Sequence, residues 1–192
     1  MTNPPSGGAS VERGERIRLF CALDLPDDAR SELHDWAVAS LGGRGRLVCA
    51  ANLHVTLAFL GHRPADDLPA ILTELRAASA AARPAELRPL RYRQTRSVGM
   101  IVLSDLGRAA TALADDLQGR LERLGIYRRE GRPWLPHVTV VRRPERGGDR
   151  PEVANTCSIH VVRSALYRSS LAPRGARYDA LATAALGGTS GS

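Results

Sequence analysis

Two segments of this 192-residue chain begin with the same three residues, His-Val-Thr, and continue with apolar side chains. The first runs from His54 to Leu60 and the second from His137 to Arg143. Side chains alternate between the two faces of a β-strand, so in each segment the His and the Thr share one face while the apolar residues face a core. The residues expected to anchor the two strands in the core are Val55, Leu57, Phe59, Val138 and Val140. Strands arranged in this way present two imidazoles and two hydroxyls together.

Two imidazoles with flanking hydroxyls can catalyse displacement at phosphorus. An imidazole with the ordinary pKa of about 6.5 acts as a base in one protonation state and as an acid in the other. One ring takes a proton from the attacking oxygen and the other gives a proton to the departing oxygen. Hydroxyl and guanidinium groups hold the phosphate oxygens meanwhile. The pattern therefore indicates phosphoryl chemistry without a metal ion.

Other interpretations of these segments have less support from the residues present. A single His-Val-Thr in a strand is commonly structural, but two copies in matching phase are much less expected by chance. A zinc site needs a third ligand, and no His, Cys or acidic residue lies at ligand spacing beside either segment. A serine or cysteine nucleophile needs a Gly-x-Ser-x-Gly turn, which the sequence lacks.

The composition favours an anionic partner. The formal net charge is +7, and all 27 basic residues are Arg, whose planar guanidinium suits phosphate oxygens. A GC-rich coding sequence also produces a chain rich in Arg, Ala and Gly, so the charge supports an RNA substrate without proving it. There is no run of about 20 apolar residues and no secretory signal at the start. With an odd number of cysteines, Cys21, Cys49 and Cys157, we expect a cytoplasmic protein without membrane association.

The periodicity of the chain predicts an α+β fold. Strands are expected at 17–25, 54–61, 87–92, 97–104, 137–143, 158–168 and 177–184, and helices at 27–41, 64–82 and 106–124. This order predicts two pseudo-symmetric lobes, each an antiparallel sheet with flanking helices, and an active-site cleft between them. Residues 1–15 and 187–192 are expected to be flexible tails around one bilobal domain at 16–186.

Four segments of the chain resemble a known family of phosphodiesterases. They read RLFCALDLP at 18–26, NLHVTLAFLG at 52–61, RPWLPHVT at 132–139 and LYRSSL from 166, running on to GARY at 175–178. The doubled His-x-Thr motif is similar to that of the two-histidine phosphoesterase superfamily. The opening strand and the Leu-Tyr-Arg-Ser segment resemble one branch of it, the RNA 2′,3′-cyclic phosphodiesterases, also called 2′-5′ RNA ligases.

The resemblance implies a role for each motif residue. By that resemblance His54 is the proton donor, His137 is the proton acceptor, and Thr56 and Thr139 bind the phosphate. The reaction is hydrolysis of an RNA 2′,3′-cyclic phosphate end to a 2′-phosphate, with no cofactor and no metal. Run backward with a 5′-hydroxyl RNA end, it makes a 2′-5′ linkage. We expect a monomer, and two other functions stay open: a non-catalytic RNA-binding module and a phosphodiesterase acting on a small cyclic phosphate.

The arginines that follow the second motif are less clearly assigned. The family has an Arg five positions after the second His, which is Arg142 here, whereas strict alternation places Arg143 on the face of the motif. Arg142 is therefore expected to bind the phosphate, and Arg143, His62 and Tyr167 are further candidates for substrate contact. Ala58 departs from the Lys or Arg that many relatives carry at its position. A basic patch beside the second motif, Arg128, Arg129 and Arg132, is a candidate track for an RNA backbone.

Overall fold

The computed structural model describes residues 15–143, 151–153, 158–172 and 175–187. The two expected tails lie outside these residues apart from Glu15 and Gly187, and so does Cys157. The strands are β1 (Arg16–Leu23), β2 (Arg46–Leu47), β3 (Val55–Pro64), β4 (Ala85–Gln94), β5 (Val98–Leu106), β6 (His137–Arg142), β7 (Ile159–Val161), β8 (Arg163–Ala172) and β9 (Gly175–Ala185). The helices are α1 (Asp27–Leu41), α2 (Leu68–Ala81) and α3 (Ala109–Arg123), with 3₁₀ turns at Ala50–Asn52 and Ala65–Asp67.

The strands pair in antiparallel fashion and form one sheet. Their order is β7-β4-β5-β6-β3-β1-β8-β9, and β2 pairs with β6. The two expected lobes correspond to the two halves of this order, one ending at β6 and the other beginning at β3. The predicted α+β class with antiparallel strands and flanking helices is confirmed.

The sheet curls until its ends approach each other. Only Val162 separates β7 from β8, although these strands lie near opposite ends of the strand order. One residue spans at most about 3.6 Å, so the two ends must be close neighbours. The prediction of one strand over 158–168 is therefore wrong: the chain leaves one half of the sheet at Val161 and enters the other at Arg163. The segments on both sides of Val162 are rich in apolar residues and no Gly or Pro separates them, which is why the switch was invisible in the sequence.

The two motif strands meet where the halves of the sheet join. β3 and β6 align at one pair of residues, Val55 and Val138, and both are fully buried. One hydrophobic core runs beneath both halves. α1 packs against β6, α2 against β8 and β9, and α3 against β3, β4 and β5. The core thus fixes the two halves relative to each other while the motif strands diverge beyond their single pair.

A bulge in β3 changes which side chains face the core. The register between β1 and β3 advances by one residue at Leu57, which is an extra residue between Thr56 and Ala58. An extra residue reverses the alternation that follows it. Ala58 is therefore buried, and Phe59 is 49% exposed. The prediction that Phe59 anchors the core is wrong for this reason.

Several element boundaries also differ from the predicted ones, among them the end of β3 and the starts of α2 and α3. β3 continues past Gly61, its expected end, to Pro64, because Gly61 adopts φ +70° and forms a second bulge instead of a stop. α2 begins at Leu68 after a 3₁₀ turn, and α3 begins at Ala109 because β5 extends to Leu106. His54 lies one residue before β3, whereas Thr56, His137 and Thr139 lie within their strands.

Candidate active site

The two motif histidines are held in the same way. Nδ1 of His54 lies 2.8 Å from the carbonyl oxygen of Asn52, and Nδ1 of His137 lies 2.8 Å from that of Leu135. A carbonyl oxygen can only accept a hydrogen bond, so each Nδ1 carries the hydrogen and donates it. In the neutral ring, each Nε2 is then the unprotonated nitrogen. Both imidazoles therefore offer the same atom to a substrate.

Side chains of both motifs line a small pocket of about 100 Å³ where the two halves of the sheet join. The predicted site residues in its wall are His54, Thr56, Thr139 and Arg142. His137 lies in an adjoining larger groove, which shares Thr56 and Phe59 with the pocket. Pockets for small organic ligands start at about 300 Å³, so the small pocket has room for a phosphate group but not for a whole nucleotide.

A bulge in β6 decides between the two candidate arginines. The register between β5 and β6 slips at Val140, which is an extra residue between Thr139 and Val141. Both valines are buried, and the next residue, Arg142, returns to the face of Thr139 and lines the pocket. Arg143 lies beyond the strand with φ 50° and an exposed side chain. Strict alternation was therefore wrong at this point, and it is Arg142 that the fold places in the pocket.

Aromatic rings surround His54 on the wall formed by β1, β8 and β9. The ring of Phe20 lies 4.7 Å from the imidazole, centroid to centroid, and Tyr178 meets it edge-on at 5.3 Å. Tyr167 stacks on Phe20 at 5.1 Å, and its hydroxyl donates to Asp24 over 3.3 Å. Burial raises the pKa of Tyr167 to about 12, which keeps this hydroxyl a donor. The rings fix the plane of the imidazole.

Two further candidates for substrate contact lie outside the pocket wall. Tyr167 is not among the residues that line the pocket: its ring stacks on Phe20 and lies 6.3 Å from the imidazole of His54, so its contact with the substrate stays a prediction. His62 has an exposed side chain on β3, opposite Arg18. Sequence reasoning instead missed Tyr178, which lines the pocket and whose hydroxyl accepts a hydrogen bond from Nη2 of Arg142 at 3.1 Å.

The environment of His54 favours its neutral form. Loss of hydration is the largest effect and lowers the pKa of His54 to about 4. The positive charge of Arg142, and that of His137 whenever it is protonated, also lowers the pKa of His54, and the hydrogen bond to the Asn52 carbonyl raises it. At pH 7 the ring is therefore uncharged when the pocket holds no anion. A phosphate beside the ring has the opposite effect, because a nearby negative charge favours the protonated imidazole.

Side chains replace strand pairing where β3 and β6 diverge. Nε1 of Trp134 donates to the carbonyl oxygen of Thr56 at 3.0 Å, and Nε2 of the buried Gln118 donates to that of Leu57 at 2.7 Å. A buried carbonyl left without a partner costs about 1–3 kcal/mol. These two bonds therefore allow the motif strands to separate and open a groove between them. Sequence reasoning missed the role of Gln118, which lies on α3.

Two larger grooves adjoin the small pocket. One of about 360 Å³ lies beside β2 and β9 and shares Asn52, Arg142 and Tyr178 with the pocket. The other, of about 480 Å³, lies on the side of His137. Each groove thus shares lining residues with the small pocket at the junction of the two halves. Within the described ranges, no three His, Cys, Asp or Glu side chains group closely enough to hold a metal ion.

No helix in the part of the chain that the structure describes is long and apolar enough to cross a membrane.

Comparison with known proteins identifies the family of this fold and site. The sequence profile of the 2′-5′ RNA ligase superfamily matches residues 25–155. The RNA 2′,3′-cyclic phosphodiesterase of Escherichia coli is 31% identical over 184 residues, covering 87% of this chain and 95% of that protein. Its counterpart from Thermus thermophilus is 31% identical over 185 residues, covering 91% and 93%. The crystal structure of E. coli LigT complexed with 3′-AMP is similar with a TM-score of 0.77 and 31% identity, covering 90% of this chain and 99% of that one. The chain therefore belongs to the 2′-5′ RNA ligase superfamily of two-histidine phosphoesterases.

Proposed function

We propose that this protein hydrolyses the 2′,3′-cyclic phosphate ends of RNA to 2′-phosphates without a metal ion. One observation carries the proposal: His54 and His137 each have Nδ1 bound to a carbonyl, and His54 lines a pocket of phosphate size while His137 lines the groove that adjoins it. The relatives from E. coli and T. thermophilus are named for this activity, which supports the same substrate class here.

The reaction follows from the order of groups around the pocket. The phosphate occupies the pocket, where the hydroxyls of Thr56 and Thr139 donate to its oxygens and Arg142 balances their charge. Nε2 of His137 takes a proton from water, and the water oxygen attacks phosphorus in line with O3′. The bond from phosphorus to O3′ breaks, and His54 gives O3′ a proton from Nε2. The product carries a 2′-phosphate and a free 3′-hydroxyl.

The donor role requires His54 to be protonated in the complex. Its pKa of about 4 in the empty pocket leaves it neutral at pH 7. The phosphate of the substrate brings a negative charge against the ring and favours the imidazolium form. Binding of the substrate therefore charges the donor, and each of the two proton transfers then contributes about 10²–10⁴ to the rate.

The nucleoside has to lie outside the small pocket. Phe59 lines the pocket and exposes its ring, and the guanidinium of Arg18 lies 5.0 Å from the ring centroid. Proteins that bind single-stranded RNA stack bases on such exposed aromatic rings. We place the terminal base of the RNA against Phe59. The similar structure of E. coli LigT was solved as a complex with 3′-AMP, which supports a nucleotide as the kind of ligand.

The test is a reaction in EDTA, without added nucleotide, on a short RNA that ends in a 2′,3′-cyclic phosphate. The expected product is a 2′-phosphate, identified by chromatography against both isomers. A 3′-phosphate would show that O2′ departs, and loss of activity in EDTA would show that a metal is needed. Binding without turnover would favour the RNA-binding module, and turnover of cyclic mononucleotides alone would favour a small-molecule enzyme.

A further inference from the structure

Tyr178 of β9 connects the two motifs, although it is distant from both in the sequence. Its hydroxyl accepts a hydrogen bond from Nη2 of Arg142 on β6 at 3.1 Å, and its ring meets the imidazole of His54 edge-on at 5.3 Å. Tyr178 also lines both the small pocket and the groove of about 360 Å³. One side chain therefore contacts the expected phosphate ligand and the expected proton donor.

The position of Tyr178 is fixed by contacts of its ring and of its strand. The ring packs edge-on against Phe20, with 4.9 Å between the two centroids. Nδ2 of Asn52 donates to the carbonyl oxygen of Ala176 at 2.7 Å, two residues before Tyr178, while the carbonyl of Asn52 accepts from Nδ1 of His54. The same residue thus holds the imidazole and the strand that carries the tyrosine.

Tyr178 gives Arg142 a neutral partner. Within the described residues, Arg142 forms no ion pair, and the Tyr178 hydroxyl is the only side-chain group that accepts a hydrogen bond from its guanidinium. Arg30 and Arg63, in contrast, are held by aspartates. A carboxylate partner would offset the positive charge that attracts the phosphate, whereas a hydroxyl fixes the direction of the guanidinium and leaves its charge intact.

We propose that Tyr178 is a positioning residue whose hydroxyl holds the guanidinium of Arg142 at the phosphate pocket before the substrate binds. The proposal rests on the proposed function, because it places the phosphate of the substrate in this pocket. An arginine side chain loses rotamer freedom when it binds a phosphate, and a guanidinium that is already held loses less. It also stabilises the charge that develops on the phosphate oxygens during displacement. Tyr178 therefore acts through Arg142 and takes no part in proton transfer.

The test measures kcat/KM on a short RNA that ends in a 2′,3′-cyclic phosphate, for the wild-type protein, Y178F, R142A and Y178F/R142A. The substitution Y178F removes the hydroxyl and keeps the ring beside His54. It should lower kcat/KM about fivefold to tenfold, which corresponds to the loss of one hydrogen bond. In the R142A background, the same substitution should change kcat/KM by less than about twofold, because the hydroxyl then has no guanidinium to hold.

The matched control is Y92F. Tyr92 does not line the pocket or either groove, and its hydroxyl donates to Gln94 at 3.2 Å. The control also loses one hydrogen bond of a tyrosine hydroxyl and should keep kcat/KM within about twofold of the wild-type value. A merely structural role of Tyr178 would lower kcat/KM by the same factor with and without Arg142. Equal factors in the two backgrounds, or an unchanged kcat/KM in Y178F, would overturn the proposal.

Binding of inorganic phosphate separates this proposal from the proposed function, because it needs no turnover. Isothermal titration calorimetry should give a Kd for phosphate about fivefold to tenfold higher for Y178F than for the wild-type protein. If the wild-type protein hydrolyses no cyclic phosphate, the proposed function fails, and this shift in Kd still supports the positioning role. Equal Kd values, or no phosphate binding to either protein, would overturn the positioning role, while hydrolysis of the RNA would leave the proposed function intact.

Discussion

The two motif strands share more structural features than the repeated His-Val-Thr tripeptide shows. In both, Nδ1 of the His donates to the carbonyl two residues before it. In both, one extra residue follows the Thr directly, Leu57 in β3 and Val140 in β6. The bulges return the fifth residue after each His to the face of the site. β3 and β6 thus repeat one arrangement, which includes the two histidines proposed to transfer protons.

The two strands differ in the residue that the bulge places on the face of the site. In β3 it is Phe59, an exposed ring under Arg18, and in β6 it is Arg142, held by the hydroxyl of Tyr178. One half of the site therefore offers a surface for a base and the other offers a charge for a phosphate. The two histidines proposed to transfer protons are therefore held alike, whereas the residues proposed to bind the substrate differ between the two strands.

The largest effects on turnover are expected at the two motif histidines. His54→Ala and His137→Ala should each lower kcat on the cyclic phosphate RNA by about 10²–10⁴, because each removes one proton transfer. RNA binding, measured by fluorescence anisotropy, should change little. His160→Ala, which removes an exposed His of β7, is the matched control. Near wild-type turnover in either motif variant would end the two-histidine account.

The pH dependence of stability tests the state of His54. Its pKa is about 4 in the folded protein and about 6.5 in an unfolded chain, so only the unfolded chain gains this proton as the pH falls between these values. The free energy of unfolding should therefore decrease from pH 7 to pH 4.5 by about 2–3 kcal/mol more in the wild-type protein than in His54→Gln. Urea unfolding at the two pH values measures this difference, and equal decreases would contradict it.

The next prediction compares the effects on kcat/KM of replacing Arg142 and Arg143. Arg142→Ala should lower kcat/KM by about tenfold to a hundredfold, because a charged hydrogen bond to the phosphate is lost. Arg143→Ala removes the same side chain from beyond the strand and should stay within about twofold. Steady-state kinetics on one cyclic phosphate RNA compare the two, and the reverse order of effects would show that the β6 bulge does not persist in solution.

The smallest effect concerns the aromatic half of the site. Phe59→Leu should raise KM for the RNA about tenfold with little change in kcat, because one base loses its stacking surface. Phe59→Tyr keeps the ring and should restore the wild-type KM. A loss confined to kcat would mean that Phe59 positions the motif and does not contact a base.

The motif residues were predictable because they depend on local alternation alone. His54, Thr56, His137 and Thr139 all precede the bulges in the chain, so the phase of the pattern held for them, although His54 lies one residue before β3. Predictions of which face a side chain occupies were unreliable after the bulges. An apolar residue such as Val140 has the same appearance in the sequence whether it is a bulge residue or a paired one. The resemblance to a family, rather than the pattern, pointed to Arg142.

Other parts of the site depend on contacts between distant segments. Gln118 reads as a polar residue on a helix, and only the packing of α3 against β3 brings its amide to the Leu57 carbonyl. Phe20 reads as an ordinary core residue of β1, and its contact with His54 depends on the β1–β3 pairing. The fold class could be predicted because it depends only on the order of the helices and strands. The passage of the chain at Val162 from one half of the sheet to the other depends on distant strand pairing and could not be predicted.

The central claim is that His54 protonates the departing O3′ while His137 activates the nucleophile. The most direct test replaces O3′ of the cyclic phosphate with sulfur, since a thiolate departs without a proton. With this substrate, His54→Ala should recover to within about tenfold of the wild-type rate, and His137→Ala should stay about 10²–10⁴ below it. Recovery of His137→Ala, or equal behaviour of the two variants, would contradict the account.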